Sequence, residues 1–86
     1  MQPHLLKEIK EIWEPMLKAE PQHRPHLKVE LINGVRFREV CLSLITWYVY
    51  EETVLGACFS FASVYDPRTT IIQDVDFDDI YDITRR

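Results

Sequence analysis

A short acidic segment near the end of the chain carries the most distinctive chemistry in the sequence. It reads Asp74-Val75-Asp76-Phe77-Asp78-Asp79 and, together with Asp82, contains five aspartates and no basic residue. Alternation with Val75 and Phe77 predicts that Asp74, Asp76 and Asp78 share one face of a strand. Such a face could contact a basic protein, hold a hard cation or simply be solvated, although the central Gly and distal Glu of a calcium-binding loop are missing. We predict a partner-binding acidic face, formed by Asp74, Asp76, Asp78, Asp79 and Asp82.

A second group of residues could instead bind nucleic acid. Aromatic side chains can stack on unpaired bases while neighbouring cations hold phosphates. The sequence supplies three cations and three aromatic residues in a predicted β-region: Lys28, Arg36, Arg38, Trp47, Tyr48 and Tyr50. The alternative is that the arginines lie on a solvent-exposed strand face, while the aromatic residues fill the core or a contact between subunits.

Catalytic and metal-binding patterns are weak. His23 and His26 have the spacing of a metal-binding pair on a helix, but prolines flank them and predict an extended linker, and neither cysteine stands at a zinc-ligand spacing. Cys41 and Cys58 lie in apolar runs typical of buried thiols, with a disulfide between neighbouring strands as the alternative. No nucleophile-and-base pattern is visible, so we expect no enzyme activity, no cofactor and no metal.

Size and charge narrow the class of protein. Eighty-six residues, 47% of them hydrophobic, are enough for one small domain with a core. The formal net charge is −4, and all of the acidic excess lies after residue 40, which argues against generic binding to phosphate backbones. The beginning of the sequence lacks the pattern of a signal peptide, and no segment has about 20 consecutive apolar residues. We therefore expect a cytoplasmic protein.

The hydrophobic periodicity predicts an α+β domain, with a helix over residues 3–19, a proline-rich linker over 20–26 and a β-region over 27–84. Apolar residues recur at three- and four-residue steps from Leu5 to Leu17, and Pro15 predicts a kink or restart of the helix. Alternation from Leu27 followed by Asn33-Gly34 predicts a tight hairpin with positive φ angles. We expect about five antiparallel strands in a strongly bent sheet or small barrel.

The region between residues 40 and 65 is apolar on both faces. A bulge or bend near Glu39 would explain why alternation stops there. A sheet that is apolar on both faces must be covered by the helix, by a barrel interior or by another chain. A homo-oligomer is therefore one of the alternatives.

Two stretches resemble Sm-like small barrels. In the first, residues 28–40, an alternating strand leads through Asn33-Gly34 into a bent strand after an N-terminal helix. In the second, residues 75–83, a short turn leads into a final strand, an ending that also resembles YolD-like bacterial proteins. The resemblance implies a fold and not RNA binding. Glu39 stands near the position where the Sm pattern has a Gly, and the Asp and Asn of the base-binding loop have no clear counterpart around Thr46 to Glu52. The N-terminal motif of YolD-like proteins is also absent.

Three functions follow from these patterns. The first is a non-enzymatic interaction or regulatory domain that binds a basic protein through its acidic segment. The second is a nucleic-acid-binding small barrel, and the third is a structural subunit of a homo-oligomer or larger complex.

Overall fold

The computed structural model describes all 86 residues and confirms an α+β architecture, in which an N-terminal helix packs on a five-stranded antiparallel sheet. The helix begins as α1 (Pro3–Glu8), widens to a π-turn over Ile9–Trp13 and tightens to a 3₁₀ helix over Glu14–Lys18. Pro15 lies in the first turn of the 3₁₀ segment. Because proline has no N–H to donate, the regular α-helical hydrogen-bond pattern cannot continue through it, which confirms the predicted restart.

The five strands follow in sequence. They are β1 (Leu27–Leu31), β2 (Arg36–Tyr50), β3 (Thr53–Ser63), β4 (Thr70–Asp76) and β5 (Ile80–Arg85). Their order in the sheet is β4-β3-β2-β1-β5, with every neighbouring pair antiparallel. Since β4 and β5 are not paired with each other, the sheet is open, and the closed form of the predicted barrel is not found.

The core lies between the helical segment and the inner face of the sheet. Its fully buried members come from the helix, β1, β2 and β3, and the largest are Ile9, Leu27, Val29, Leu42, Phe59 and Phe61. Leu27 pairs with Val40 whereas Val29 pairs with Phe37, so β2 holds one extra residue between these pairs. This bulge confirms the bend predicted near Glu39.

Two tight turns differ from the sequence prediction. The Asn33-Gly34 hairpin forms, but only Gly34 has a positive φ, of 89°. The N–H of Gly34 donates to Leu31 O and the N–H of Leu31 donates to Val35 O, which makes a three-residue loop ending in a bulge at Gly34. The linker is also less extended than predicted, because Pro21–His23 form a 3₁₀ turn.

Arg24 ties the end of the helical segment to the sheet. Its guanidinium donates hydrogen bonds to Ala19 O at 3.1 Å, to Leu17 O at 3.2 Å and to Leu42 O at 3.1 Å. The first two carbonyls lie at the end of the helical segment, where no intrahelical donors remain, and the third lies on β2. One side chain therefore satisfies backbone acceptors on both layers of the fold.

Candidate protein-interaction surface

Four of the five aspartates of the acidic segment lie at the end of β4 and in the 3₁₀ turn Phe77–Asp79 that follows it. Val75 and Phe77 point toward the core, and Phe77 packs on Phe59 with ring centroids 5.0 Å apart. The side chains before, between and after these two anchors are exposed: Asp74, Asp76, Asp78 and Asp79. The turn is capped by Asp76, whose Oδ1 accepts from the N–H of Asp78 at 3.0 Å.

The predicted strand alternation does not describe all of these residues. Asp74 has a positive φ of 52° and its N–H donates to Ser60 Oγ at 3.0 Å, so β4 is irregular there. Asp78 has already left the strand for the turn. Asp82 lies apart from the others, since it pairs with Glu30 on β1 and lines a groove with the side chains of Lys28 and Arg36.

The tip of the β2–β3 hairpin lies at the same end of the molecule as the acidic segment. Asp76 is the register partner of Cys58 on β3, and Leu55 near the hairpin tip lines one depression together with Asp78. The turn of this hairpin is Glu51-Glu52, both exposed. We call the six carboxylates of this region the acidic end: Glu51, Glu52, Asp74, Asp76, Asp78 and Asp79.

None of the carboxylates in the acidic end is neutralised by an ion pair within the chain. The three ion pairs of the structure are Arg36–Glu30, Arg68–Asp66 and Arg86–Glu39, all elsewhere. The sequence explains this separation, because it contains no Lys or Arg between Arg38 and Arg68 or between Arg68 and Arg85. The negative charge of the acidic end is therefore available to an external cation.

Large apolar and aromatic side chains are exposed beside these carboxylates. Tyr48, Val49, Tyr50 and Leu55, all near the hairpin tip, are each about half exposed or more. Protein interfaces are enriched in tyrosine and in apolar residues with a polar rim. The acidic end thus combines unpaired charge with contact area that neither the helix nor another strand covers.

Tyr48 is close enough to the acidic segment for two of its carboxylates to affect the pKa of its phenol. The S–H of Cys58 donates to Tyr48 Oη at 3.4 Å. This hydrogen bond is the largest cause of a raised pKa of Tyr48, and the charges of Asp74 and Asp76 raise that pKa further. Tyr48 therefore presents a neutral phenol beside two carboxylates at neutral pH.

The residues predicted to bind nucleic acid do not form one surface. Lys28, Arg36 and Arg38 line a groove of about 300 Å³ around the beginning of β2, which they share with Glu30 and Asp82. The aromatic residues lie at the other end of this 15-residue strand. Trp47 packs against the core, whereas Tyr48 and Tyr50 are exposed at the acidic end. Arg36 is held by Glu30 at 3.1 Å, which also reduces the positive charge of the groove.

Several members of the surface were not identified from the sequence. Glu51 and Glu52 were not among the predicted contact residues, because their place in this surface depends on a strand pairing that the sequence does not specify. Ser60 is buried among apolar residues and becomes informative only through its hydrogen bonds with Asp74. The structure places Gly56 opposite Tyr48.

The cysteines and histidines form no further site. Cys41 and Cys58 are buried free thiols, as the apolar runs around them predicted. Burial raises the pKa of Cys41, and the nearby Arg24 partly opposes this shift. No group of three or more His, Cys, Asp or Glu side chains is arranged to hold a metal ion.

None of the helices combines the length and apolar character needed to span a membrane.

The chain matches no protein-family model, no curated protein sequence and no solved structure. The geometry of the acidic end is therefore the basis on which its function can be proposed.

Proposed function

We propose that this protein is a non-enzymatic interaction domain that binds a basic protein partner through its acidic end, with Asp74, Asp76, Asp78 and Asp79 as contact residues. Asp82, at the edge of the groove that Lys28 and Arg36 also line, is a further proposed contact residue. The single observation that carries the proposal is a set of exposed carboxylates without internal ion pairs beside exposed tyrosine and apolar side chains. Complementary charge speeds encounter and selects the partner, while the apolar and aromatic area supplies contact energy.

Charge reversal tests the proposal directly. The variant Asp78→Lys/Asp79→Lys changes two exposed side chains and keeps the capping carboxylate of Asp76. Tagged wild-type and variant proteins would be used to capture partners from nuclease-treated lysate of the source cells at low and high salt. We expect a protein that the wild type retains at low salt, loses at high salt and that the variant does not retain, because exposed charges are screened within about 10 Å at 0.1 M salt.

The matched control is Glu11→Lys/Glu20→Lys, which makes the same change in net charge at exposed positions of the N-terminal region. This control should retain the partner. Equal capture by both double variants would show that the acidic end is not the interface. Equal loss of the partner from both double variants would show that capture depends on the net charge of the protein and not on the acidic end.

A structural subunit is the second candidate function, and the open sheet supports it. Both edge strands, β4 and β5, have one side without a strand partner. An apolar groove of about 320 Å³ runs beside β5, lined mainly by Ile12, Trp13, Phe77, Ile80, Tyr81 and Ile83. Exposed strand edges beside apolar surface favour association with further chains. Sedimentation of the purified domain over a range of concentrations distinguishes a stable oligomer from a monomer that needs a different partner.

Nucleic-acid binding remains the third proposal, now restricted to the groove at Lys28, Arg36 and Arg38. Titration with single-stranded RNA and DNA at low salt separates it from the other two, because the acidic end would repel phosphates. Saturable binding that is lost in an Arg36→Gln/Arg38→Gln variant would replace the first proposal.

We also propose that the domain is related to Sm-like small barrels, and the order of its elements supports this relation. A helix, an alternating strand, a Gly34 hairpin, a strand with a bulge, and a short turn before the last strand occur in the order that the resemblance implies. We further propose that the domain acts in the cytoplasm. Its two free buried cysteines support a reducing compartment.

A further inference from the structure

The outer edge of β5 carries backbone hydrogen-bonding groups that the chain does not use. β5 ends the sheet and pairs with β1 on one side only. The N–H of Arg86 donates to His26 O at 3.0 Å, which makes these two residues a hydrogen-bonded pair of the antiparallel ladder. Because such pairs alternate along a ladder, the backbone groups of Thr84 also face β1, whereas those of Ile83 and Arg85 face away from it. Two N–H and two C=O groups are therefore free at this edge.

The opposite edge, β4, is less suited to receive another strand. Its backbone is left-handed at Asp74, and its pairing with β3 is irregular at two places. Asp74 and Asp76 are also exposed on it. Irregular backbone and exposed charge are features that protect edge strands from pairing. β5, by contrast, pairs regularly with β1 from Asp82 to Arg85.

The order of charges along β5 is complementary to itself. The strand carries Asp82 in its first half and ends in Arg85-Arg86. When two such strands run antiparallel, the acidic part of each meets the basic part of the other. The register that joins the free groups of Ile83 to those of Arg85 in a second copy places Asp82 opposite Arg86. It also places Thr84 opposite Thr84, and both kinds of cross-strand pair are stabilising.

Apolar side chains lie beside this edge on the helical side of the sheet. Ile12 is 51% exposed and Tyr81 is 72% exposed. Both line the groove beside β5 together with Ile83, whose side chain packs against the core. Ile12 also lines a second depression, which reaches Arg85. A strand added to β5 would remove apolar surface from water in addition to satisfying the free backbone groups.

We propose that β5 pairs antiparallel with β5 of a second copy of this chain, which gives a twofold dimer with one continuous ten-stranded sheet. The twofold axis passes beside Thr84, and both helical segments lie on the same face. Arg86 also pairs with Glu39 of its own chain, and its five N–H donors allow both contacts. The dimer gives the second candidate function a defined contact. Asp82 lies at this contact, and the acidic end stays outside it.

Arg85→Pro tests the strand pairing with little risk to the fold. Proline removes an N–H that β1 does not use, and edge strands accept proline where that N–H faces solvent. In sedimentation experiments we expect a wild-type dimer and a dimer of the variant that is weakened about tenfold, because two of the four intermolecular hydrogen bonds are lost. Arg85→Ala is the control, since it keeps the N–H, and its dimer should be weakened less than about threefold.

Two results would overturn the proposal. The first is a wild-type protein that stays monomeric at about 1 mM, because even a weak contact is visible at that concentration. The second is a dimer that Arg85→Pro leaves as strong as the wild type. The amide spectrum of the variant verifies that it is folded.

A disulfide at the axis tests the register. Thr84 would face itself in a non-hydrogen-bonded pair, where Cα atoms are about 4.5 Å apart, and a disulfide can span this distance. Thr84→Cys should therefore form a covalent dimer under mild oxidation, whereas Thr70→Cys, at an exposed position of β4, should not. The wild type, whose two cysteines are buried, is the second control. Equal cross-linking of both variants would overturn the proposal.

The dimer and the proposed function can fail separately. Asp78→Lys/Asp79→Lys should leave the dimer unchanged, because these residues lie outside the contact. A monomeric protein that captures a salt-sensitive basic partner would overturn the dimer and leave the proposed function standing. A dimer that is lost in Arg85→Pro, from a protein that captures no such partner, would support the dimer and remove the proposed function.

Discussion

At the scale of single residues, Arg24 joins the helical layer to the sheet. It lies in the proline-rich linker, where the sequence predicted only an extended connection. Its three backbone acceptors come from residues 17, 19 and 42, so its role follows from tertiary structure and has no local sequence signal. Backbone acceptors that are left without a donor in a partly buried position cost free energy. By donating to these three carbonyls, Arg24 contributes to the stability of the fold.

Replacing Arg24 should therefore destabilise the fold. Gln is too short to reach all three carbonyls, and we expect Arg24→Gln to lower the free energy of unfolding by about 2–3 kcal/mol, measured by urea denaturation. Arg68→Gln is the control, because the Arg68 side chain is 94% exposed, and it should cost less than about 0.5 kcal/mol. Similar losses in both variants would contradict the assigned role of Arg24.

The Cys41 thiol should make stability fall with rising pH. Burial raises its pKa, so the unfolded state loses this proton at a lower pH than the folded state does. Stability is then fully present below about pH 8.5, the ordinary pKa of a cysteine, and declines as pH rises through the higher folded pKa. Denaturation between about pH 7 and 10 should show a shallower decline in Cys41→Ala than in the wild type. Parallel pH profiles would exclude this contribution.

At the scale of elements, the β2–β3 hairpin ends in an unfavourable turn. Glu51 and Glu52 have φ angles of 47° and 67°, a left-handed conformation that glycine and asparagine adopt more readily. The pairing of Tyr50 with Thr53 leaves only these two residues to close the loop. The two glutamates contribute charge at the acidic end, and this contribution comes with backbone strain.

Relieving this strain should stabilise the protein. Glu51→Asn/Glu52→Gly supplies the residues that such a turn favours, and we expect it to raise the free energy of unfolding by about 1 kcal/mol in urea denaturation. Glu51→Gln/Glu52→Gln removes the same charges but keeps the strain, so it should leave stability within about 0.5 kcal/mol of the wild type. An equal gain in both variants would attribute the effect to charge repulsion instead.

The sequence predicted those elements whose signals are local. Periodicity predicted the helix and its restart at Pro15, Asn33-Gly34 predicted the first hairpin, and the acidic turn before β5 was correctly placed. The change from α to π to 3₁₀ geometry and the 3₁₀ turn at Pro21–His23 depend on packing and were not predicted. The Glu51-Glu52 turn could not be predicted as a tight hairpin, because neither residue favours a positive φ.

The candidate surface was predictable only in part for the same reason. The acidic segment is contiguous in sequence, so its aspartates were found, but their division between the acidic end and the groove at Asp82 depends on strand order. The separation of Lys28, Arg36 and Arg38 from the tyrosines likewise depends on the length and direction of β2. Alternation alone could not foresee the left-handed backbone at Asp74, which interrupts β4.

At the scale of the whole molecule, charge is segregated along the sheet. The acidic end has exposed carboxylates without ion pairs, whereas the beginning of β2 carries the mixed groove of Lys28, Glu30, Arg36, Arg38 and Asp82. A molecule with this asymmetry orients a basic partner before contact and disfavours binding through the groove. The exposed side chains near the hairpin tip then lie where such a partner would arrive.

Amide hydrogen exchange of the free domain and of its complex with the captured partner tests this account most directly. A partner bound at the acidic end should slow exchange in residues 48–60 and 74–79 and should change exchange little in residues 28–38. Protection confined to residues 28–38 and 82–86 would contradict it, because the partner would then occupy the groove and leave the acidic end in solvent.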